Sequence, residues 1–130
     1  MLHRIIEFFT NRRPQIREHR AAWEAATQVG PDGLTPFQHL AAQALRDALP
    51  GTVLHRSGTD EVYLVGSLPG GDATVYIYED QAEVIGGDAH FSGEHHDFDV
   101  PSELVAEFIA AIRGWREPYL FIQADAFGAA

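Results

Sequence analysis

The sequence contains no cysteine and no lysine, and its nine basic side chains other than histidine are all arginines. Without cysteine, the chain has no disulfide bond, no thiolate zinc site and no cysteine nucleophile. Long apolar runs are also missing, because no segment approaches the roughly 20 apolar residues of a membrane span. Glu7 and Asn11 interrupt the apolar start of the chain, which argues against a secretory signal peptide. We expect a cytoplasmic protein that does not bind membranes.

Length and composition indicate one folded domain. Hydrophobic residues make up 45% of the 130 residues and charged residues make up 22%, which is close to the average for globular proteins. We predict a single domain over residues 1–130. Within it, residues 1–29 are expected to form a helical N-terminal extension that is a candidate for homodimerisation, and residues 34–123 are expected to form an α+β core.

The first 28 residues predict two helices separated at Pro14, where proline ends or kinks the first one. The first helix carries one broad apolar stripe, which we interpret as part of the core or, alternatively, as a dimer interface. The second helix has a thinner apolar line that includes Trp23. The stripe of the first helix consists of Leu2, Ile5, Ile6, Phe8 and Phe9.

Two later helices have clear start signals. Thr35 is a favourable N-cap followed by proline, so a helix is predicted from there to Ala48. A closing amphipathic helix is predicted from about Ser102 to Arg113, with Gly114 as its end. In the helix that follows Thr35, the predicted inward-facing residues are Phe37, Leu40, Ala41, Ala44, Leu45 and Ala48. In the closing helix they are Leu104, Val105, Phe108, Ile109 and Ile112.

Between these helices the apolar period changes from about 3.6 to 2, which indicates β-strands. Short turns rich in glycine and aspartate separate the strands, so neighbours should be antiparallel. The predicted fold class is α+β: N-terminal helices, an antiparallel β-meander of about four to five strands and the closing helix, in two layers. The predicted strands are Thr52–Arg56, Glu61–Leu68, Ala73–Glu79, Ala82–Ile85 and a looser His90–Val100, while Tyr119–Ile122 is a candidate for a further strand or a cover for a sheet edge.

Charge is unevenly distributed along the chain. Five arginines lie among residues 1–20, whereas the segment from Ser57 to Glu107 has twelve acidic residues and neither arginine nor lysine. A surface built from that segment repels nucleic-acid phosphates and attracts a basic protein or a cation. The simplest interpretation is that the acidity keeps the domain soluble. Nucleic acid is not expected as a partner, and the N-terminal arginines are better matched to the acidic sheet of the same or another chain.

The leading hypothesis is a non-enzymatic protein-binding module that engages a basic partner through its acidic sheet. Its general plan of helix, antiparallel meander and closing helix resembles small bacterial immunity proteins and secretion chaperones, and this resemblance implies binding of one partner. No catalytic residue is predicted, since no serine has the context of a nucleophile and no carboxylate pair is expected to be buried. The candidate partner-binding residues are Asp72, Glu79, Asp80, Glu83, Glu94 and Asp97.

A second hypothesis is a metal-binding protein or metal-dependent enzyme. The segment from Asp88 to Asp99 concentrates histidine and carboxylate side chains, whose nitrogen and oxygen atoms suit zinc or another divalent ion. Its spacing matches neither HExxH nor an EF-hand loop, so the alternative is that these groups are merely solvated. Otherwise no cofactor is expected. The candidate ligands are His90, His95, His96 and Asp97.

A third hypothesis is a small-ligand site. The second and third predicted strands place Tyr63, Tyr76 and Tyr78 on one face of the sheet, and a pocket between that face and a helix would suit a small molecule. The paired glycines at 70–71 and 86–87 are interpreted as turns between strands, because a phosphate loop needs a lysine and a following helix.

Overall fold

The computed structural model describes residues 19–70, 73–86 and 89–128, with residues 89 and 115–128 described as backbone. Helix α1 covers residues 19–26 and helix α2 covers Pro36–Ala48. Five strands follow, and helix α3, Pro101–Gly128, closes the described chain. The predictions for residues 2–14 lie outside the described residues. The strands are β1 Val53–Ser57, β2 Tyr63–Ser67, β3 Thr74–Ile77, β4 Gln81–Gly86 and β5 Ala89–Glu94.

The five strands form one antiparallel sheet in the order β1-β2-β3-β4-β5, in which each strand pairs with the next along the chain. This meander confirms the predicted α+β class. The turn between β1 and β2 requires glycine at Gly58, where φ is 92° and a Cβ atom would overlap the carbonyl oxygen of Glu61. Strands β1 and β5 are the two edges of the sheet.

Alternation along the strands gives the sheet an inner and an outer face. The inner face packs against α2 and α3 and forms the core, so the fold has two layers. The outer face carries the residues that alternate with the buried ones, and neither α2 nor α3 covers it. The buried residues of the inner face other than glycine are Leu64, Val75, Ile77, Ala82 and Val84.

The helices bury most of the residues that their apolar spacing predicts, although Ala44 and Ala48 are only partly buried and Leu40 is exposed. All five stripe residues of α3 are buried, and so are Phe37, Ala41 and Leu45 of α2. The inward orientation predicted for Leu40 is wrong, because its side chain is 45% exposed. Leu40 lies on the flank of α2, where it borders a groove shared with α1 and the start of α3.

The start of α2 is fixed to the sheet by buried polar side chains. Thr35 caps the helix as predicted, and Gln38 completes a capping box, with its side chain accepting the Thr35 N–H at 2.8 Å. Gln38 is fully buried, and its amide donates to the carbonyl oxygens of Val62 at 2.8 Å and Ile77 at 3.3 Å. The Thr35 hydroxyl donates to the carbonyl oxygen of Glu79 at 3.0 Å. Together these bonds join α2 to the backbone around β2 and β3.

Helix α1 is anchored to the same core by Trp23. Its indole N–H donates to the carbonyl oxygen of Phe98 at 2.8 Å, and its ring centroid lies 5.7 Å from that of Phe37. Trp23 is 9% exposed, and Ala26 packs beside it. The second predicted N-terminal helix therefore contributes to the core, at least over residues 19–26.

The segment after β4 forms a shorter strand than the sequence predicts. Strand β5 ends at Glu94, and a 3₁₀ turn over His95–Asp97 follows. The backbone closes this turn with a hydrogen bond from the Phe98 N–H to the His95 carbonyl oxygen, 3.3 Å long. The prediction of a strand that continues to Val100 is therefore wrong, and the side chains of the turn do not alternate as they would on a strand.

Helix α3 is longer than predicted. It continues through Gly114 to Gly128, so the predicted end at Gly114 and the predicted strand at 119–122 are wrong. The alternative that residues 119–122 cover a sheet edge stays a prediction. Gly114 does not adopt the left-handed conformation that ends many helices, and a glycine inside a helix costs only about 1 kcal/mol. Among the described residues no helix is both long enough and apolar enough to cross a membrane. The cytoplasmic location stays a prediction.

Candidate outer-face binding site

The outer face of the sheet is the surface that α2 and α3 leave uncovered. The strand register shows which residues lie on this face, because directly paired residues of antiparallel strands point to the same side. The hydrogen bond from the Gln81 amide to the Ser92 hydroxyl, 3.1 Å long, joins β4 and β5 on this side. The outward residues are Val53, His55, Ser57, Tyr63, Val65, Ser67, Thr74, Tyr76, Gln81, Glu83, Ile85, His90, Ser92 and Glu94.

Three tyrosines form the aromatic centre of this face, as the sequence predicts. The ring centroids of Tyr63 and Tyr78 lie 5.3 Å apart, and those of Tyr76 and Tyr78 lie 6.2 Å apart with nearly parallel planes, 9° from each other. All three residues are half-buried. They therefore present a continuous aromatic surface rather than isolated rings.

Carboxylates surround the tyrosines. Glu83 lies directly opposite Tyr76 in the pairing of β3 with β4, and Glu94 lies opposite Gln81 in the pairing of β4 with β5. Glu61 is exposed in the segment that leads into β2. The sequence-based site omitted Glu61, although its position two residues before Tyr63 continues the period of 2 and could have indicated it.

The titration of Tyr78 reflects this environment. Burial raises the pKa of the Tyr78 phenol above its ordinary value, and the negative charge of Glu83 raises it further. Tyr63, Tyr76 and Glu61 make smaller contributions in the same direction. At neutral pH the phenol is therefore uncharged and able to donate a hydrogen bond, while the carboxylates supply the negative charge of the face.

The predicted partner-binding residues are only partly brought together. Glu83 and Glu94 lie on the outer face, whereas Glu79 and Asp80 lie in the turn between β3 and β4. Asp97 lies in the 3₁₀ turn, and Asp72 falls outside the described residues.

Asp80 is directed toward the helix layer instead of the tyrosines. Its Oδ2 atom lies 2.8 Å from Nδ1 of His95, whose ring packs edge-on against Trp23 with the centroids 5.8 Å apart. Trp23 in turn contacts Phe37 of α2. Asp80 was predicted to bind the partner together with Glu83. In the structure it faces His95, whereas Glu83 lies beside Tyr76.

The predicted metal ligands do not form one cluster, although the rings of His95 and His96 pack edge-on with their centroids 5.5 Å apart. His90 lies on the outer face opposite Ile85, and His95 pairs with Asp80. His96 and Asp97 lie together with Glu94, and their ligand atoms are all within 4.8 Å of one another. The Nε2 atom of His96 is 3.1 Å from the Oε2 atom of Glu94 and 3.6 Å from the Oδ1 atom of Asp97. These three side chains are about half exposed.

Concave surfaces occur on both sides of the sheet. A groove of 430 Å³ lies on the outer face beside Val53, Val65 and Thr74, and others lie on the helix side. A groove of 670 Å³ runs between α2 and α3 and is lined by Ala48, Ile109 and Arg113 among others. A second groove, of 570 Å³, lies where α1, α2 and the start of α3 meet, beside Leu40. The tyrosines lie on the opposite side of the sheet from α2 and α3, so these helices do not enclose them in a pocket.

No protein-family model, no curated protein and no solved structure matches this chain. Function is therefore inferred from the chemistry of the outer face. Aromatic rings attract cations to their faces, and carboxylates accept charge-assisted hydrogen bonds from guanidinium and ammonium groups. Strands β2 to β5 contain neither arginine nor lysine, so no cationic side chain of these strands neutralises the face. The arrangement suits basic side chains supplied by another segment.

Proposed function

We propose that this chain is a non-enzymatic protein-binding module that holds an arginine- or lysine-rich segment of a partner on the outer face of its sheet. The observation that carries the proposal is the cross-strand pair of Tyr76 and Glu83, with the rings of Tyr63 and Tyr78 beside it. An aromatic centre surrounded by polar groups is the usual anatomy of a protein interface. Glu61 and Glu94 supply such a polar rim.

The magnitudes favour a partner with several basic residues. A cation over an exposed aromatic ring contributes about 0.5–1 kcal/mol, and an exposed ion pair contributes about 0.2–1 kcal/mol. One arginine or one small cation therefore binds weakly, whereas several basic side chains on one segment add their contributions. A nucleic acid is disfavoured as a partner, since the chain has a net charge of −10 and phosphates are repelled by carboxylates.

Nuclear magnetic resonance with a synthetic nona-arginine peptide tests where such a segment binds. We expect the amide signals of β2, β3 and β4 to shift on titration, with the largest changes around Tyr76 and Glu83. The shifts should decrease as salt is added, because the contacts are partly exposed. Shifts confined to α2 and α3, or equal over the whole surface, would contradict the proposal.

A second candidate function is divalent-metal binding at Glu94, His96 and Asp97. It is supported by the convergence of one imidazole nitrogen and two carboxylate oxygens within 4.8 Å, which supplies three of the four ligands that zinc usually takes. We expect zinc chloride to raise the melting temperature relative to EDTA, because binding to the folded state stabilises it. His96→Ala should abolish the rise and His90→Ala should retain it. An unchanged melting temperature, or a rise that survives His96→Ala, would exclude this site.

A further inference from the structure

We propose that the outer face has a second, apolar subsite beside its edge strand β1, and that the basic segment bound at Tyr76 and Glu83 places an aliphatic side chain there. This inference rests on the proposed function, and it adds a selectivity that charge alone does not give. The apolar subsite is the outer-face groove of 430 Å³, whose lining includes Val53, Val65, Ser67 and Thr74.

The subsite lies in a part of the outer face that is more apolar than a solvated sheet surface usually is. An antiparallel sheet with one solvated face normally places polar residues outward. Among the described residues four large apolar side chains are clearly exposed, and two of them are on this face, Val53 at 59% and Ile85 at 43%. Ile85 lies opposite Thr74, which lines the subsite together with Val53. Single exposed apolar residues are ordinary, whereas a group of them around a groove is typical of a binding surface.

The groove offers little to a charged side chain. The described residues that line it include no carboxylate, and the one ionisable side chain among them is that of His55. A guanidinium group placed here would lose water without gaining an ion pair. An aliphatic side chain would instead gain from the burial of apolar surface. The subsite therefore favours leucine, isoleucine or valine over a further arginine.

The strand register connects the subsite to the pair of Tyr76 and Glu83. Val65, which lines the groove, lies opposite Tyr76 in the pairing of β2 with β3. Tyr76 in turn lies opposite Glu83 in the pairing of β3 with β4. One row of outward side chains therefore leads from the groove to the carboxylate, and a segment that crosses the strands along this row contacts both places.

The distance between the two places limits the conformation of the bound segment. Most of the groove lining belongs to β1 and β2, and neighbouring strands are about 4.8 Å apart, so its centre lies about 10 Å from the pair on β3 and β4. In a polyproline II helix, residues three apart point to the same side and are separated by about 9 Å. A β-conformation places same-side residues about 7 Å or about 13 Å apart. We therefore expect the aliphatic residue three positions from the arginine at Tyr76 and Glu83.

Two peptides of equal charge test the subsite on the intact chain. One is nona-arginine with its central arginine replaced by leucine, and the other has glutamine at that place, so arginines lie three positions to either side in both. Fluorescence anisotropy measures their affinities for the natural protein and for two variants. Val53→Ser removes an apolar side chain from the groove. Val29→Ser is the matched control, because Val29 is 58% exposed in the segment between α1 and α2.

The subsite predicts a preference for leucine that depends on Val53. We expect the leucine peptide to bind the natural protein and Val29→Ser about fivefold more tightly than the glutamine peptide, since an open groove buries only part of the side chain. Val53→Ser should reduce this ratio to less than about twofold. In nuclear magnetic resonance spectra of the natural protein, the leucine peptide should shift the methyl signals of Val53 and Val65 more than the glutamine peptide does.

The possible failures separate the subsite from the proposed function. Equal affinities of the two peptides for the natural protein would overturn the subsite and leave the binding of basic segments intact. A preference for leucine that survives Val53→Ser, or methyl shifts confined to α2 and α3, would place the leucine elsewhere and would also overturn it. If neither peptide binds, the proposed function fails and the subsite fails with it. The methyl shifts are measured on the natural protein, so they decide the question even if Val53→Ser folds poorly.

Discussion

Tyr76 lies directly opposite Glu83 in the antiparallel pair of β3 and β4, so a ring and a carboxylate project side by side from the uncovered face of the sheet. The ring of Tyr76 is also stacked with that of Tyr78. Directly opposed residues have Cβ atoms about 4.5–5.5 Å apart, which allows one guanidinium group to contact both side chains. This pair distinguishes the outer face from an ordinary solvated sheet surface.

The titration of Tyr78 should report the negative charge around the tyrosines. We expect its phenol to ionise above the ordinary value of about 10, and Glu83→Gln to lower that pKa partly, since burial remains as the larger cause. Between the unfolded and folded pKa values the unfolded chain binds fewer protons, so the stability of the fold should fall as the pH rises above about 10. Absorbance titration with Tyr78→Phe as the reference measures the first effect. Ionisation of Tyr78 at or below its ordinary pKa would contradict this description of the face.

Gln38 should be essential for stability although it is polar. Gln38→Leu keeps the volume but leaves the carbonyl oxygens of Val62 and Ile77 without the buried amide donor, and we expect a loss of about 2–4 kcal/mol in the free energy of unfolding. Gln43→Leu is the matched control on the same helix, because Gln43 is exposed and bonds only to exposed Asp47 in the described structure. Urea denaturation measures both variants, and equal losses would mean that the buried bonds of Gln38 contribute little.

Trp23 should stabilise the fold as a link between α1 and the rest of the domain. Trp23→Phe preserves an aromatic ring but removes the N–H that donates to the Phe98 carbonyl oxygen, and we expect a loss of about 1–2 kcal/mol. Glu24→Gln, at the neighbouring exposed position, should change the stability by less than about 0.5 kcal/mol. If Trp23→Phe is as stable as the natural protein, residues 19–26 do not contribute to the cooperative unit.

The elements with regular apolar spacing were predictable from the sequence, whereas features set by distant contacts were not. The buried stripe of α3 and the period of 2 in β2 and β3 follow from local patterns alone. Gln38 resembles a surface residue in the sequence, because its partners Val62 and Ile77 lie 24 and 39 positions away. Gly114 indicated a helix end, but a glycine is tolerated within a helix at a modest cost.

The candidate site was predictable to a similar extent. Alternation alone placed Tyr63, Tyr76 and Tyr78 on one face. It did not reveal that Asp80 pairs with His95, since the 3₁₀ turn after β5 brings that histidine to the turn between β3 and β4. The same turn gathers His96 and Asp97 with Glu94 and leaves His90 apart.

The most direct test of the proposed function compares two charge reversals of equal size on opposite sides of the molecule. Glu83→Arg changes the outer face, and Glu107→Arg changes an exposed position of α3; both alter the net charge by the same amount. Fluorescence anisotropy with labelled nona-arginine at one fixed salt concentration measures the affinity of each variant. We expect Glu83→Arg to weaken binding about tenfold, or about 1.4 kcal/mol, and Glu107→Arg to weaken it less than about twofold. Equal weakening by the two variants would mean that the peptide senses the overall charge, and it would contradict a specific site on the outer face.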